Sequence, residues 1–397
     1  MRKDPDQRIR KGLYSAGSMF VFLAAISWCL ALAAGPASAE EINRTGYTSS
    51  KVCGYCHVDI YENWKSSLHA LAYKNPIFMT AYRHAYLETK GEAKEYCLKC
   101  HTPTIYSTKD TDVTMPITEE GVTCDFCHTV EDVNLNDPSA PFRLDVGGEK
   151  RGPMKPKLEE TRFFKNPAAH YATYSKWFNK AELCAGCHEI VNSNGIKPGS
   201  TYSEWKASSY AKAGVQCQDC HMAPIPGKAI DPSVKKVKKN TIPDHSLSHN
   251  MEWMKDAVEL EIVTAKRTSG GRYVVDVAMT NVKAGHNIPT GTPSRKLTLE
   301  VMIQGEGSPA VTQIRTFGKR VVDKNGDWLT TDVEAYLNGA KIAENTALKP
   351  KERRVVRFMF GAAPAGEPKV TARAFLTYSP IVTTEENMHI PLGVAAK

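Results

Sequence analysis

The sequence predicts a chain of two structural domains: a mainly α and irregular domain over residues 40–256, followed by an all-β antiparallel sandwich over residues 257–397. Two observations carry this prediction. Ten of the eleven cysteines lie between residues 53 and 220, and no cysteine follows residue 220. Beyond about residue 256, runs of β-branched and aromatic residues alternate with turn signals such as Gly270-Gly271 and Asn325-Gly326.

The C-terminal pattern predicts about seven strands in an immunoglobulin-like sandwich. The runs with the clearest strand composition are Val258–Ala265, Tyr273–Val282, Leu297–Gln304, Arg353–Phe360 and Val370–Tyr378. In the N-terminal part, short helices are expected around Val58–His69 and Asn75–Leu87. The Pro- and Gly-containing segment Asp132–Pro156 is expected to be an irregular loop.

The ten cysteines form five copies of one spacing, Cys-x-x-Cys-His, and this motif predicts five covalent heme c groups. The two thiols of each copy add to the vinyl groups of a porphyrin, and the adjacent histidine then binds the iron with its neutral imidazole. Numbered first to fifth in chain order, the copies are Cys53, Cys56 and His57; Cys97, Cys100 and His101; Cys124, Cys127 and His128; Cys184, Cys187 and His188; and Cys217, Cys220 and His221.

Two other uses of these cysteines explain the pattern less well. A disulfide framework suits an exported protein, but it does not require a histidine after every second cysteine. Zinc knuckles also contain Cys-x-x-Cys pairs, yet they combine two half-sites into one site with four ligands. Five half-sites that each have their own histidine therefore favour heme.

The eleventh cysteine, Cys29, lies in a segment with the composition of a Sec-type signal peptide. Basic residues precede the apolar stretch Met19–Ala34, and Ala37-Ser38-Ala39 provides small residues for cleavage before Glu40. The apolar stretch is shorter than the roughly 20 residues that span a bilayer, and an uncleaved anchor stays open as an alternative. We therefore expect residues 1–39 to be a signal peptide and the protein to be periplasmic, with the outer surface as an alternative.

The net charge gives no support for a nucleic-acid partner. The formal charge of the full sequence is +8, and residues 1–39, which carry five basic and two acidic residues, account for three of these charges. Each heme adds two propionates against one net positive charge at its ferric iron, so five oxidised hemes contribute about −5. We expect redox proteins, and no nucleic acid, as partners.

A six-coordinate heme iron needs a second axial ligand, and its identity separates electron transfer from catalysis. Seven histidines lie outside the motifs: His69, His84, His170, His245, His249, His286 and His389. Since five irons compete for seven imidazoles, the sequence predicts ligands among them, namely His69, His84, His170, His245, His249 and His286. His389 is expected to be a surface residue, and Met222 and Met251 are alternative ligands.

Three features of the sequence suggest where particular ligands and partners lie. His286 belongs to the loop Gly285–Gly291 of the β-domain, from which it would reach an iron of the other domain. The pattern W-K-x-S-x-x-A occurs at Trp64–Ala70 and again at Trp205–Ala211, which suggests an old duplication in which His69 corresponds to Tyr210. Lysines 235, 236, 238 and 239 form either a solvated loop or a docking surface for an acidic partner.

These residues resemble a known group of proteins. The stretches Cys53–Ala70, Gly121–Val130, Leu183–Glu189 and Thr201–Met222 are similar to multiheme cytochromes of the cytochrome c-554 superfamily, which is distantly related to hydroxylamine oxidoreductase and pentaheme nitrite reductase. The β-domain with its loop Gly285–Gly291 is similar to modules fused to such cytochromes in metal- and sulfur-respiring bacteria. The resemblance implies closely packed hemes, in parallel and perpendicular pairs, that form a conducting chain for anaerobic respiration.

The resulting hypothesis is electron transfer through mostly bis-histidine hemes, with no catalytic residue assigned. The alternative is reduction of a small nitrogen or sulfur oxyanion at one five-coordinate heme, for which Tyr210 marks the candidate position. All five motifs end in histidine, so the lysine-ligated heme of the nitrite reductases is not reproduced. A subunit role in a larger respiratory or conduit complex is also open, and membrane association is expected only through partners or an uncleaved signal.

Overall fold

The computed structural model describes residues 45–147, 149–155, 170–247, 251–361, 366–378 and 389–397. Residues Tyr47–Lys397 form one compact unit. The predicted signal peptide and His249 lie outside the described residues. Within the described part of the chain, no helix is long and apolar enough to cross a membrane.

The part of the unit that precedes residue 257 consists of short helices and two-stranded pairs. The helices are α1 (Ser50–Cys53), α2 (Val58–Lys65), α3 (Pro76–Glu88), α4 (Lys94–His101), α5 (Ile105–Thr108), α6 (Cys124–His128), α7 (Glu182–His188), α8 (Thr201–Lys206), α9 (Ser209–Lys212), α10 (Cys217–His221) and α11 (Met251–Met254). The strands are β1 (Val130–Val133), β2 (Phe142–Leu144), β3 (Glu149–Gly152), β4 (Tyr171–Tyr174), β5 (Pro224–Pro226) and β6 (Thr241–Pro243).

Local sequence accounts for where the helices begin. The Asn75 side chain caps α3 by accepting a hydrogen bond from the backbone of Ile77 at 2.9 Å, and Pro76 occupies the first helical position, where its missing N–H costs nothing. Thr123 caps α6 in the same way, since its hydroxyl accepts from the backbone of Phe126. Such caps matter here because helices this short are not stable by themselves.

The part from residue 258 onwards is built from antiparallel strands. They are β7 (Val258–Arg267), β8 (Tyr273–Asn281), β9 (Arg295–Gln304), β10 (Val311–Phe317), β11 (Lys319–Val322), β12 (Trp328–Leu329), β13 (Lys341–Asn345), β14 (Arg353–Phe360), β15 (Lys369–Tyr378) and β16 (His389–Ala396). One sheet has the order β14-β8-β7, a second has the order β10-β9-β15-β16, and a small third sheet has the order β12-β11-β13.

The first two sheets enclose the main hydrophobic core. Val277 and Met279 of β8 pack in one cluster with Leu299 and Ile303 of β9 and with Phe358 of β14, and all five side chains are completely buried. Because a single cluster contains side chains from both sheets, the two sheets face each other as a sandwich. Burying each of these side chains stabilises the fold by about 1.5–3 kcal/mol.

The small third sheet and a helix connect the sandwich to the N-terminal part. Helix α12 (Asp332–Asn338) lies between β12 and β13, and Tyr336 on it packs against Tyr96 with ring centroids 5.4 Å apart. The Asn192 and Asn194 side chains both donate hydrogen bonds to the carbonyl oxygen of Gly339, at 2.7 and 2.8 Å. The sandwich is therefore fastened to the motif-bearing part at a second place besides the chain connection.

The predicted fold class is confirmed, with differences in detail. Seven strands form the sandwich, and Arg353–Phe360 matches its predicted bounds. The helix predicted over Val58–His69 ends at Lys65. The segment predicted as an irregular loop instead contains β1, β2 and β3. Phe142 of β2 explains this order, because it packs into a buried cluster with Phe126 and Val130. The proposed division at residue 256 stays a prediction.

We expect Leu299→Ala to lower the free energy of unfolding by about 2–5 kcal/mol, because it leaves a cavity between the two sheets. Chemical denaturation followed by circular dichroism measures this. Val311→Ala on the exposed edge strand β10 is the control and should change the value by less than about 0.5 kcal/mol. Equal effects of the two substitutions would contradict the sandwich core.

Candidate heme sites

Each of the five motifs lies at or within a short helix. Helices α4, α6, α7 and α10 contain the second to fifth motifs, and the first motif begins at the last residue of α1. Residues three and four apart lie on one face of a helix, so a turn of helix brings both cysteines and the histidine to the same side. None of the motif cysteines that the structure describes is joined to another in a disulfide.

Most motif histidines are held by a backbone carbonyl at their Nδ1 atom. The pairs are His57 with Ala229 (2.5 Å), His101 with Ala72 (2.9 Å), His128 with Arg151 (2.5 Å) and His221 with Leu247 (3.3 Å). A carbonyl can only accept, so in each pair Nδ1 carries the proton and donates it. Nε2 is then left with the lone pair that binds a metal.

Burial keeps three of these imidazoles neutral. It lowers the pKa of His101 to about 4 and the pKa of His128 to about 4, and in both cases the carbonyl at Nδ1 opposes the shift only in part. The pKa of His221 is also lowered by burial. At neutral pH the ring therefore does not have to lose a proton before its nitrogen binds iron.

Three motif histidines face a second imidazole at nearly the same separation. His57 and His170 have ring centroids 6.1 Å apart, His188 and His69 also 6.1 Å, and His221 and His286 6.3 Å. A metal–imidazole bond is about 2.0 Å, and the ring centre lies about 1.1 Å beyond the nitrogen, so two imidazoles on opposite faces of one metal have centres about 6 Å apart. The three separations fit this arrangement.

Two of these second histidines, His170 and His286, and also His245 have the same local support as the motif histidines. Nδ1 of His170 lies 3.2 Å from the carbonyl oxygen of Tyr171, and Nδ1 of His286 lies 2.9 Å from that of Asn287. Nδ1 of His245 lies 2.8 Å from that of Pro243. Burial lowers the pKa of all three rings. Each is thus a neutral imidazole with Nε2 available.

His245 lies near the first and third motifs. It interacts electrostatically with His57 and with His128. The backbone N–H of His245 is held by the Asn63 side chain. The structure therefore places His170, His69 and His286 each opposite one motif histidine, and His245 close to two of them.

Three further histidines, His84, His389 and His101, lie in different surroundings. Nε2 of His84 lies 3.8 Å from a carboxylate oxygen of Glu88, one turn along α3. His389 is exposed on β16 beside Phe375. Among described rings, the aromatic contact of His101 is with Phe78, whose ring stacks on it at 3.6 Å and 8°.

The donor set suits a porphyrin rather than a bare ion. Among the described residues, no group of three or more His, Cys, Asp or Glu side chains is arranged to hold a metal ion. Two facing imidazoles complete an iron site only when the four equatorial nitrogens come from another group, and heme supplies them. The cysteines beside each motif histidine would hold that group covalently.

A buried ion pair positions the loop that carries His286. Lys319 on β11 lies 2.9 Å from a carboxylate oxygen of Glu204 on α8, and both side chains are almost completely buried. Thr290, in the His286 loop, donates a hydrogen bond to the other Glu204 oxygen at 2.6 Å. Lys319 also donates to the Gly291 carbonyl at 3.2 Å. One carboxylate thus fixes the loop of the β-domain on the motif-bearing part.

The repeated Trp-Lys segments make the same hydrogen bonds. The indole of Trp64 donates to the carbonyl of Val122 at 3.0 Å, and the N–H of Val122 donates to the carbonyl of His69 at 2.9 Å. In the second copy, Trp205 donates to Val215 at 2.9 Å, and the N–H of Val215 donates to Tyr210 at 3.0 Å. Both valines lie two residues before a motif, which supports a duplicated unit.

Tyr210 occupies the position that corresponds to His69 but lies against the β-domain. The Lys351 ammonium lies 5.2 Å from the centre of the Tyr210 ring. A Cβ atom on Gly285 would lie 3.4 Å from Tyr210, so the His286 loop passes close to that ring. The Tyr210 ring thus takes part in the contact between the two parts of the protein.

Sulfur atoms of different motifs lie next to one another. The pairs whose thiols influence each other's pKa are Cys53 with Cys124, Cys100 with Cys187, and Cys184 with Cys217. Cys127 also interacts electrostatically with Cys184 and Cys187. The first, third, fourth and fifth motifs therefore form a row, and the second motif joins this row at the fourth.

Sequence reasoning missed the groups that orient the ligands. The carbonyls of Ala229, Ala72 and Arg151 come from segments distant in sequence from the histidines they hold. A backbone acceptor leaves no residue pattern. Glu204 directly precedes the second Trp-Lys segment, but no sequence signal pointed to its partner Lys319.

Comparisons with known proteins agree with this description. Residues 52–129 match the family described as cytochrome c554 and c-prime. The fold is similar to a crystal structure of a penta-heme cytochrome c552 from Thermochromatium tepidum, with a TM-score of 0.70 and 22% sequence identity over 89% of this chain and 99% of that chain. No curated protein sequence matches the chain.

The motifs, the fold and these matches point to one class of protein, the multiheme c-type cytochromes. The segment around the first three motifs matches the cytochrome c554 and c-prime family, and the fold over most of the chain is similar to that of a penta-heme cytochrome.

We expect Lys319→Met to lower the free energy of unfolding by about 3–5 kcal/mol, because it leaves the Glu204 carboxylate buried without its cation. The double variant Lys319→Met/Glu204→Gln should recover part of this loss. Thermal unfolding of the heme-loaded protein measures both, with Lys324→Met, on an exposed turn, as the control. A single variant as stable as this control would contradict the buried clamp.

Proposed function

We propose that the protein transfers electrons through five covalently bound c-type hemes, most of them with two histidine ligands. Heme supplies a one-electron iron couple whose potential is set by its axial ligands and surroundings. The observation that carries this proposal is the set of three imidazole pairs with ring centroids 6.1–6.3 Å apart. Two strong ligands on each iron favour electron transfer over binding of a substrate.

Each motif has a defined task under this proposal. Its two cysteines hold the porphyrin edge and its histidine provides the first axial nitrogen. The second nitrogen comes from His170 at the first motif, His245 at the third, His69 at the fourth and His286 at the fifth. His69 and His286 thus connect distant parts of the chain, since each serves a motif more than 60 residues away.

The order of the motifs in space supports a defined electron route. The neighbouring sulfur atoms favour a path from the first motif through the third and fourth to the fifth. Exposed motif positions lie at both ends of this path, at Tyr55 in the first motif and at Asp219 and Cys220 in the fifth, and also at His188 in the fourth. Electrons would enter at one end and leave at the other.

The cellular setting is part of the same proposal. Proteins with covalent c-type heme are typically extracytoplasmic, and the N-terminal segment has the composition of a Sec signal, so we infer a periplasmic carrier in anaerobic respiration. Its donor and acceptor are redox proteins, or neighbouring subunits of a respiratory or conduit complex. Membrane association would come through those partners or through an uncleaved signal.

We expect His286→Ala to convert one of five hemes from low spin to high spin, because the β-domain would no longer provide an axial nitrogen. Electron paramagnetic resonance and magnetic circular dichroism of the oxidised protein count both states. His389→Ala is the matched control, since that exposed β-domain histidine should leave every spin state unchanged. Identical spectra for the two variants would contradict a ligand role of His286.

A second function, reduction of a small nitrogen or sulfur oxyanion, is favoured by the surroundings of the second motif rather than by Tyr210. His101 is stacked against Phe78, not paired with a described imidazole. Burial raises the pKa of Tyr82 to about 12 and that of Tyr336 to about 12, and both phenols lie near Cys97. Protonated phenols suit a reduction that consumes protons as well as electrons.

This second function predicts one high-spin ferric heme in the unmodified protein, with a signal that shifts when nitrite or hydroxylamine is added. His84→Ala should not change the number of high-spin hemes, because the His84 ring faces Glu88. Tyr336→Phe should lower the reduction rate and leave the spin state as it is. Five low-spin hemes in the unmodified protein would rule this function out and leave pure electron transfer.

A further inference from the structure

We propose that the loop of residues 227–240 is a docking surface for a small acidic redox protein that exchanges electrons at the first motif. This inference rests on the electron-transfer function proposed above. The loop, here called the basic loop, connects β5 to β6 and carries Lys228, Lys235, Lys236, Lys238 and Lys239. Its single acidic residue, Asp231, is engaged locally by the backbone and hydroxyl of Ser233.

The basic loop is attached directly to the first motif. The carbonyl of Ala229 holds the His57 ring at 2.5 Å, and the backbone N–H of Asp231 donates to the carbonyl of Cys56 at 2.7 Å. The N–H of Lys228 donates to a carboxylate oxygen of Asp59 at 2.7 Å. A protein bound to this loop would therefore lie beside the segment that holds the heme.

The first motif is also where apolar side chains reach solvent. Tyr55, the second residue between its two cysteines, is 69% exposed, whereas Phe126 at the same position of the third motif is 3% exposed. Val234 in the basic loop is 54% exposed. Transient redox interfaces are small, and charged residues around such a patch steer the encounter.

The charge of the loop selects the kind of partner. Lys236, Lys238 and Lys239 are exposed, and the loop holds five lysines against one aspartate. Complementary charge raises association rates far more than it raises affinity. An acidic electron carrier fits this surface, whereas a basic one would be repelled.

The experiment compares two triple variants with the same change in charge. Lys236→Glu/Lys238→Glu/Lys239→Glu alters the basic loop, and Lys324→Glu/Lys349→Glu/Lys369→Glu alters exposed positions of the β-domain. Stopped-flow reduction by the hydroquinone of a flavodoxin, a small acidic one-electron donor, is measured at several salt concentrations. Reduction by photoreduced lumiflavin, which is small and uncharged, is measured alongside.

The loop variant should react with flavodoxin about tenfold more slowly at low salt, with a flattened salt dependence, while the control variant stays near the unmodified rate. Lumiflavin should reduce all three proteins equally. Carbodiimide cross-linking should join flavodoxin to the lysines of the basic loop, as identified by mass spectrometry. This readout does not depend on electron transfer.

Equal slowing of both variants, or cross-links elsewhere, would overturn the docking surface without touching the proposed function. Unchanged flavodoxin kinetics, with cosedimentation on phosphatidylglycerol vesicles lost only in the loop variant, would replace the protein partner by a membrane surface. If photoreduced lumiflavin fails to reduce the hemes, the proposed electron-transfer function is wrong, and the docking surface is overturned with it.

Discussion

The arrangement of this protein depends on one requirement: an imidazole must present Nε2, unprotonated, at a fixed point. A backbone carbonyl at Nδ1 meets it, because the carbonyl only accepts a hydrogen bond and so fixes both the tautomer and the plane of the ring. The same contact occurs at His57, His101 and His128 and again at His286. Segments such as β3 and the loop after β5 have defined positions because their carbonyls serve these rings.

This requirement also explains why an all-β sandwich is joined to a part with so little regular core. The N-terminal part consists of short capped helices, and its interior is expected to be filled by porphyrins rather than by large side chains. The sandwich has a conventional core between two sheets, so it can hold a loop rigidly. The buried Glu204–Lys319 ion pair then holds the loop with His286 in place against the N-terminal part, although burying two charges is itself unfavourable.

The sequence was sufficient to predict covalent heme attachment and the main strands. It was insufficient to predict which histidine faces which motif. Five Cys-x-x-Cys-His copies have one chemical explanation, and Arg353–Phe360 has the β-branched and aromatic composition of a strand. By contrast, the choice of His69, His170 and His286 among seven histidines depends on contacts between distant segments. The repeat suggested Tyr210 as a special position because it aligns with His69. The two copies share their backbone hydrogen bonds, but the Tyr210 side chain contacts Lys351 of the β-domain.

The position of His286 has a consequence for how the protein matures. The fifth motif ends at His221, whereas the histidine that faces it follows 65 residues later in the chain, within a sandwich whose last strand is β16. Under the proposed ligation, heme attachment at this motif can precede completion of its iron site, which waits until the C-terminal strands have been exported and folded. Folding of the sandwich would then be the last step in assembling the electron path. A chain truncated before the sandwich would carry its hemes, but the iron at the fifth motif would lack its second histidine ligand.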